Sequence, residues 1–432
     1  MTTKRRVISL TLAPPPRLPE LAAMAAAEPA CPLSLAPDPL PRLHPDEARA
    51  LLSRYDVGPV DGNGRLVVVA ISGGVDSAVT ALVLRERGYQ VVGMNMRLYN
   101  PPDDRGHVNP CCSIEAMEDA RASCRRIDIP FYALNMAREF EDTVIHTFVS
   151  EYASGRTPNP CLECNRQVKF KHLINRARML GAEHLATGHY ARIEQDAAGV
   201  YHLYRALDES KDQSYVLHTL SQAQLAYLLF PLGRLHKTEV RELARAFGLS
   251  VADKAESQDI CFVGKGSYAE FVRRRRPELT EPGPIVDVRG RRLGEHRGLL
   301  HYTVGQRKGL GIAGPEPLFV VRLEAAENRL VVGTRVDMSF TRLDASGVSL
   351  TSDGWPAGRF DCSVVVRYRG TPHAATIEPL EPGRARVHFA DPPFAVAPGQ
   401  AVVFYSGDEV LGGGTITASS QSDGPVATAT AA

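Results

Sequence analysis

Three short stretches carry residue types that do chemistry. Ser72-Gly73-Gly74-Val75-Asp76-Ser77 combines two glycines, two small hydroxyls and an acid. Glycines let a backbone turn tightly, so that successive N–H groups surround an anion, and Ser72 and Ser77 add donors. Asp76 can orient such a loop or hold a metal ion. The stretch is a phosphate cradle, although it is neither a Walker loop, Gly-x-x-x-x-Gly-Lys-Ser/Thr, nor the dinucleotide fingerprint, Gly-x-Gly-x-x-Gly.

The second stretch is Asn159-Pro160-Cys161-Leu162-Glu163-Cys164-Asn165. Pro158 and Pro160 predict extended backbone that presents both cysteines on a loop rather than in a helix. The third, Ser257-Gln258-Asp259-Ile260-Cys261-Phe262, places another thiol among polar residues. A Cys-x-x-Cys pair with one distant cysteine has two chemical readings. One is sulfur transfer, in which one cysteine carries a persulfide and another attacks it. The other is a three-cysteine iron–sulfur cluster with an open coordination position. Zinc is disfavoured because no fourth ligand stands nearby.

The remaining cysteines fit blander roles. Cys111 and Cys112 are adjacent, so their side chains diverge and make a poor two-point ligand. Cys124 shares a helical face with Met117, Ala120 and Ile127 and reads as core. Cys362 falls in a strand-like run, and Cys31 in a Pro/Ala-rich region. Eight cysteines in a long chain without a secretory signal imply a reducing, cytoplasmic setting.

These residues need elements to position them. Leu66 to Ile71 is a short β-branched apolar run, as for a strand buried on both faces of a parallel sheet. A helix comes next, with Val79, Leu82, Val83 and Leu84 as its apolar face and Gly88 at its end. Gln90–Met96, Phe131–Leu134 and a run beginning at His184 predict further strands, and 114–127 and 168–180 predict helices. Strands alternating with helices mean βαβ units, with ligands beyond the carboxyl ends of the strands, where Ser72, Met96 and Gly188 fall. Residues 217–249 carry a Leu and Ala stripe that predicts helix. From about residue 267, frequent Gly and the run Arg273-Arg274-Arg275-Arg276 suggest a small β-containing module. Alternation from about 346 onward suggests a small β-barrel. The expected organisation is a disordered extension (1–64), a parallel-sheet domain (65–266), a central domain (267–344), a barrel (345–420) and a loose tail (421–432).

The chain has 432 residues, enough for two or three cores, and 44% are hydrophobic. With 50 Lys and Arg against 49 Asp and Glu, net charge points to no polyanionic partner, and local clusters must carry that argument. No apolar run is long enough to predict a membrane span.

Ser-Gly-Gly-x-Asp-Ser resembles the PP-loop of ATP pyrophosphatases, which release pyrophosphate and leave AMP on a substrate oxygen. Together with the Asn-Pro-x-x-x-Cys-Asn and Ser-x-x-Ile-Cys-Phe segments, the chain resembles the tRNA-specific 2-thiouridylases (the MnmA/TrmU family) from about Leu66 to Ile416. Ala186-Thr187-Gly188-His189-Tyr190, Lys211-Asp212-Gln213-Ser214-Tyr215, Gly305-Gln306-Arg307-Lys308-Gly309-Leu310-Gly311 and Pro398-Gly399-Gln400 reinforce the likeness. The resemblance implies ATP with Mg²⁺ as cofactors, tRNA bearing a wobble uridine (U34) as substrate, and a relay of sulfur-carrier proteins as donor.

Carried over by position, it implies Cys164 as nucleophile and Cys261 as persulfide carrier. Ala70, Ile71, Ser72, Gly73, Gly74, Val75, Asp76, Ser77, Met96 and Gly188 would surround ATP. Asn159, Pro160, Cys161, His189, Lys211, Asp212, Gln213, Arg367, Tyr368 and Gln400 would touch tRNA. Many family members have Asp where this chain has Cys161, so Cys161, Cys164 and Cys261 could instead ligate a 4Fe-4S cluster. Arg289, Arg291, Arg292, Arg297, Arg307 and Lys308 join the arginine run as candidate contacts to RNA phosphates. Two other functions share parts of this pattern. Another PP-loop synthetase would not need Cys164 and Cys261, and a catalytically silent tRNA or iron–sulfur binding protein would release no pyrophosphate.

Overall fold

The computed structural model describes residues 45–58, 61–99, 114–256, 260–263 and 267–420. The loose tail, most of the expected N-terminal extension, Cys31, Cys111, Cys112 and Ser257-Gln258-Asp259 lie outside the described residues. Residues 45–58 correct the reading of 1–64 as disordered: helix α1 (Pro45–Leu52) places Leu52 in the first core, and Val57 lies just beyond it. Leu51 and Tyr55 pack alongside, and this apolar density distinguishes the segment from the Pro/Ala-rich residues before it.

The first domain is a parallel sheet around β1 (Leu66–Ala70), all five of whose residues are buried. Helix α2 (Val75–Glu86) leads to β2 (Gln90–Arg97), and α3 (Ile114–Arg126) leads to β3 (Phe131–Asn135). Two long helices come after β3: α4 over residues 137–153 and α5 over 160–179, each with a π-helical stretch inside it. Then come β4 (His184–Ala186), the hairpin β5 (Ala191–Gln195) and β6 (Tyr201–Arg205), the short helix α6 (Gln222–Leu225), β7 (Leu228–Leu229) and helix α7 (Lys237–Ala246). The sheet order is β3-β2-β1-β4-β7, every pair parallel. Helix α2 is buried from Val75 through Leu84 on nearly every side, because α7 covers the face the sheet does not.

The Leu and Ala stripe of 217–249 is not one helix. It divides into α6, strand β7, a 3₁₀ turn (Pro231–Arg234) and α7. Pro231 cannot donate to a continuing helix, and Gly233 packs so tightly that an added Cβ would lie 1.9 Å from the Ala191 carbonyl oxygen. Leu225, Leu228, Leu232 and Leu243 are nevertheless all buried, so the apolar spacing serves four elements rather than one helical face.

Helix α8 (Tyr268–Arg275) opens the central module, a four-stranded sheet of β8 (Gly283–Asp287), β9 (Arg292–His296), β10 (Phe319–Glu324) and β11 (Arg329–Gly333) in the order β10-β11-β8-β9. The C-terminal strands are β12 (Arg342–Leu350), β13 (Phe360–Val365), β14 (His373–Pro379), β15 (Arg384–Phe389), β16 (Ala401–Ser406) and β17 (Glu409–Ser420). They run β12-β15-β14-β13-β16-β17, and pairing of β17 back onto β12 closes them into an antiparallel barrel. The β5–β6 hairpin of the first domain extends the same sheet through β6–β17 pairing, which ties barrel to parallel-sheet domain by backbone hydrogen bonds.

One close contact tests the packing. Gly93 in β2 faces Cys124 in α3, and an added Cβ would lie 2.6 Å from its Sγ. Gly93→Ala is expected to lower stability in urea unfolding by about 1–3 kcal/mol through overpacking, and Cys124→Ala in the same chain to recover much of it.

Candidate functional site

The cradle forms where β1 ends. Gly73 adopts φ +77°, and a Cβ there would lie 2.0 Å from the Ala116 carbonyl oxygen, so both conformation and space require glycine. The Ser72 N–H donates to Ser77 Oγ (3.1 Å), which donates to the Gly74 carbonyl (3.1 Å). Lys254 Nζ donates to the Gly73 carbonyl (3.0 Å) and to Asp119 (2.5 Å). Two successive carbonyls are thus held by side chains. Across each trans peptide the N–H points the opposite way, so the N–H groups of Gly74 and Val75 are fixed too, at the N-terminus of α2.

Ser72, Gly73, Gly74, Val75 and Asp76 line an open cleft of ≈ 290 Å³ with Tyr190, Lys211, Gln213, Lys237, Lys254 and Glu256. The other residues expected around ATP support this cleft without lining it. Ala70 and Ile71 are buried behind the loop, where the Ile71 carbonyl accepts from Asn95 Nδ2 (2.8 Å). Ser77 lies under the loop, and Met96, one residue before the end of β2, packs against two apolar clusters. Gly188 lets the chain after β4 approach the start of α2, where a Cβ would meet the Ser77 nitrogen at 2.9 Å.

Lysines and acids alternate across the cleft. Lys237 Nζ contacts both carboxylate oxygens of Asp76 (2.7 and 2.8 Å) and lies 3.0 Å from Glu256, which also pairs with Lys211 (2.8 Å). Asp76 accepts a further bond from the Tyr190 hydroxyl (2.8 Å). Burial and the Asp76 carboxylate push the Tyr190 phenol up, so it stays a donor. Burial opposes ionisation of Glu256, but hydrogen bonds from Lys211 and Lys237 outweigh it and hold the carboxyl down to about 2. Asp76 is therefore held by partners of its own, and it orients the loop.

Cys164 and Cys261, remote in sequence, fall in one apolar cluster. Cys164 is buried in the aromatic cluster of Phe140, Phe148, Phe262 and Phe271, against which Cys261 also packs. Met96, Leu98, Leu134 and Met136, at or just past the ends of β2 and β3, belong to the same cluster. Since β1 and β2 are parallel neighbours with Ala70 opposite Met94, the thiols sit at the carboxyl edge that also carries the cradle.

The expected loop around Cys161 and Cys164 is instead the first turn of α5. Pro160 stands at the start of the helix, where its missing N–H costs nothing, and Asn159 Oδ1 caps the turn by accepting from the Cys161 N–H (3.1 Å). Cys161 is exposed whereas Cys164 is buried. Dense protein around the Cys161 thiol raises its pKa, and Lys169 opposes that shift. Among the described residues, no group of three or more Cys, His, Asp or Glu side chains is arranged to hold a metal ion. Cys161, Cys164 and Cys261 thus do not fit a 4Fe-4S cluster in this arrangement. Cys124 is buried with its thiol pushed up to about 12 by desolvation, as expected of core; Cys362 lies in β13.

The residues expected to touch tRNA separate into three groups. Lys211, Gln213 and Tyr368 line the nucleotide cleft, with Arg367 exposed beside Tyr368 on a barrel loop. Asn159 and Gln400 organise loops, Gln400 Nε2 donating to the Thr157 carbonyl (2.7 Å). His189 and Pro160 are buried, and Asp212 is half-buried. His189 Nδ1 lies 2.6 Å from Thr187 Oγ1, and burial, reinforced by Lys169, drives its pKa well below the usual value. Asp212 accepts from Ser214 Oγ (2.7 Å) and the Ala206 N–H (3.0 Å).

Family models match almost the whole chain after its first 64 residues: a tRNA methyl transferase HUP domain over residues 65–265, a tRNA methyl transferase PRC-barrel domain over 269–334 and an aminomethyltransferase beta-barrel domain over 340–416. The chain is 47% identical over 365 residues to the tRNA-specific 2-thiouridylase MnmA of Roseiflexus castenholzii, covering 81% of this chain and 98% of that protein. The chain belongs to the MnmA family of tRNA-specific 2-thiouridylases. MnmA of Chloroflexus aurantiacus is 49% identical over 350 residues (81% and 98% covered), and MnmA of Moorella thermoacetica 48% over 360 residues (82% and 100% covered).

Among the residues of this MnmA-family cleft that escaped sequence reasoning are Lys237, Lys254 and Glu256. They belong to no short motif, and only folding brings α7 and the chain after it to the cradle. Their coupling is testable by acid unfolding. Because the folded carboxyl of Glu256 sits near 2 and its unfolded value near 4.5, its stabilisation is complete above pH 4.5 and is lost as pH falls toward 2. Glu256→Gln is expected to flatten that limb of the stability profile, with the wild type losing more stability than the variant over the same interval.

Proposed function

We propose that this chain catalyses ATP-dependent 2-thiolation of the wobble uridine (U34) of tRNA, with the adenylated C2 oxygen as the leaving group. A uracil C2 carbonyl is a poor electrophile and oxide a poor leaving group. Joining the oxygen to the α-phosphorus of ATP turns it into a phosphate ester that departs as AMP. The cradle N–H groups of Gly74 and Val75 and the cleft lysines suit charge developing on pyrophosphate. The cleft carboxylates Asp76 and Glu256 already hold lysines, so Mg²⁺ would arrive bound chiefly to the nucleotide's phosphate oxygens and water.

The observation that carries the reading is the gathering of Cys164 and Cys261, distant in sequence, in one cluster at the sheet edge that bears the cradle. Transfer from a Cys261 persulfide is then short. The terminal sulfur attacks C2 and AMP leaves with the oxygen. Cys164 thiolate then attacks the Cys261 sulfur, breaking the S–S bond, so that C2 keeps its sulfur and a Cys164–Cys261 disulfide forms. Solvent exposure of Cys161 favours this persulfide route over a three-cysteine cluster. The uridine must leave its stack to reach these thiols, and the arginines of α8 and the central module suit the neighbouring phosphates. A protein relay delivering persulfide sulfur and a cytoplasmic setting complete the reading. Among the described residues no helix is long and apolar enough to cross a membrane.

Two assays separate adenylation from sulfur transfer. With ATP and transcript tRNA, Cys164→Ser and Cys261→Ser are each expected to lose thiolated product by at least roughly a thousandfold, while tRNA-dependent pyrophosphate release stays within about threefold of wild type. Thiolation surviving in the double variant would refute the role of these thiols.

A further inference from the structure

The proposed transfer leaves a disulfide between Cys164 and Cys261, and Cys164 is buried. With Cys164 buried and Cys261 half-buried, such a disulfide is shielded from an external reductant on its Cys164 side. Cys261 cannot be reloaded with sulfur until that bond opens, so turnover requires a route by which electrons reach it.

A third thiol stands in reach. Cys161 is exposed and precedes Cys164 by three residues in the capped first turn of α5. On a helix, residues three apart occupy one face with their Cβ atoms neighbouring, and the Cα separation falls within the range a disulfide spans. The first turn also places Cys161 at a helix N-terminus, where the backbone N–H groups favour negative charge. Protein packed around the Cys161 thiol raises its pKa, and Lys169 opposes that shift. Cys124 lies buried in α3 and Cys362 in β13, outside this turn of α5.

We propose that Cys161 is the resolving thiol of the sulfur-transfer cycle, moving the disulfide from the Cys164–Cys261 pair to the Cys161–Cys164 pair at the helix N-terminus. The inference rests on the thiolation reading. Cys161 thiolate attacks Cys164 Sγ, the Cys164–Cys261 bond breaks, and Cys261 leaves as thiolate, free to accept new sulfur. The oxidation level is unchanged by this exchange. A dithiol reductant then supplies two electrons and two protons to open Cys161–Cys164, becoming a disulfide itself. Cys161 acts only after C2 has received its sulfur, so a first turnover from loaded enzyme does not require it.

The test uses one turnover without added reductant. Full-length wild type and Cys161→Ser are loaded with persulfide, freed of excess sulfur, mixed anaerobically with ATP and transcript tRNA, quenched with N-ethylmaleimide and mapped by non-reducing peptide mass spectrometry. Both are expected to give about one thiolated tRNA per enzyme. Wild type should carry Cys161–Cys164 in roughly tenfold excess over Cys164–Cys261, with Cys261 alkylated, whereas Cys161→Ser should retain Cys164–Cys261. Thermal melting of the unloaded variant, expected unchanged, confirms its fold. Wild type ending at Cys164–Cys261 would overturn the resolving role and leave thiolation standing, and so would iron bound by anaerobic wild type and lost in Cys161→Ser. Absence of thiolated tRNA from both proteins would instead remove the thiolation reading and the inference with it.

Discussion

A trans peptide cannot turn its carbonyl without turning its N–H, and the nucleotide cleft depends on that constraint. Lys254 holds the Gly73 carbonyl and Ser77 holds the Gly74 carbonyl, so the anion-facing donors are set before any ligand arrives. Donors fixed in advance need not reorganise as charge develops, which is the main source of electrostatic stabilisation in such sites. The clamp is itself anchored. Asp119 holds Lys254 from α3, and Lys237 and Tyr190 hold Asp76 at the head of α2. Elements from four parts of the first domain therefore converge on a six-residue loop.

The same sheet edge explains why the thiols are where they are. Parallel strands end together, so any group packed beyond β2 and β3 is neighbour to the loop after β1. Cys164 reaches that place on a helix started by Pro160 and Asn159, and Cys261 through a segment beginning only a few residues after Glu256 in the cleft. The barrel contributes from outside: Tyr368 and Arg369 line the cleft, and the shared sheet of β6 and β17 fixes the barrel against the domain that holds the nucleotide. A substrate spanning all three modules would thus meet one continuous framework.

Much of this was legible in the residues. A β-branched run, a glycine pair and an amphipathic stretch are local signals, and β1, the cradle and α2 lie where they predict. The core position of Cys124 and the barrel strands came from periodicity in the same way. What failed was local evidence for features decided by tertiary contact. The stripe of 217–249 satisfied a helical period although Pro231 and Gly233 divide it, and the prolines around Cys161 suggested extended backbone when one of them starts a helix. Lys237, Lys254 and Glu256 carry no spacing that distinguishes them from surface charges, and their role exists only once α7 packs on α2.

The central claim is that Cys164 and Cys261 share the aromatic cluster beside the cradle. Bridging by a short bifunctional thiol reagent, applied to the reduced Cys161→Ser protein and located by peptide mapping, tests it directly. The account predicts one dominant cross-link joining Cys164 to Cys261. Separate single modification of both thiols, with no cross-linked peptide in the folded protein, would contradict it.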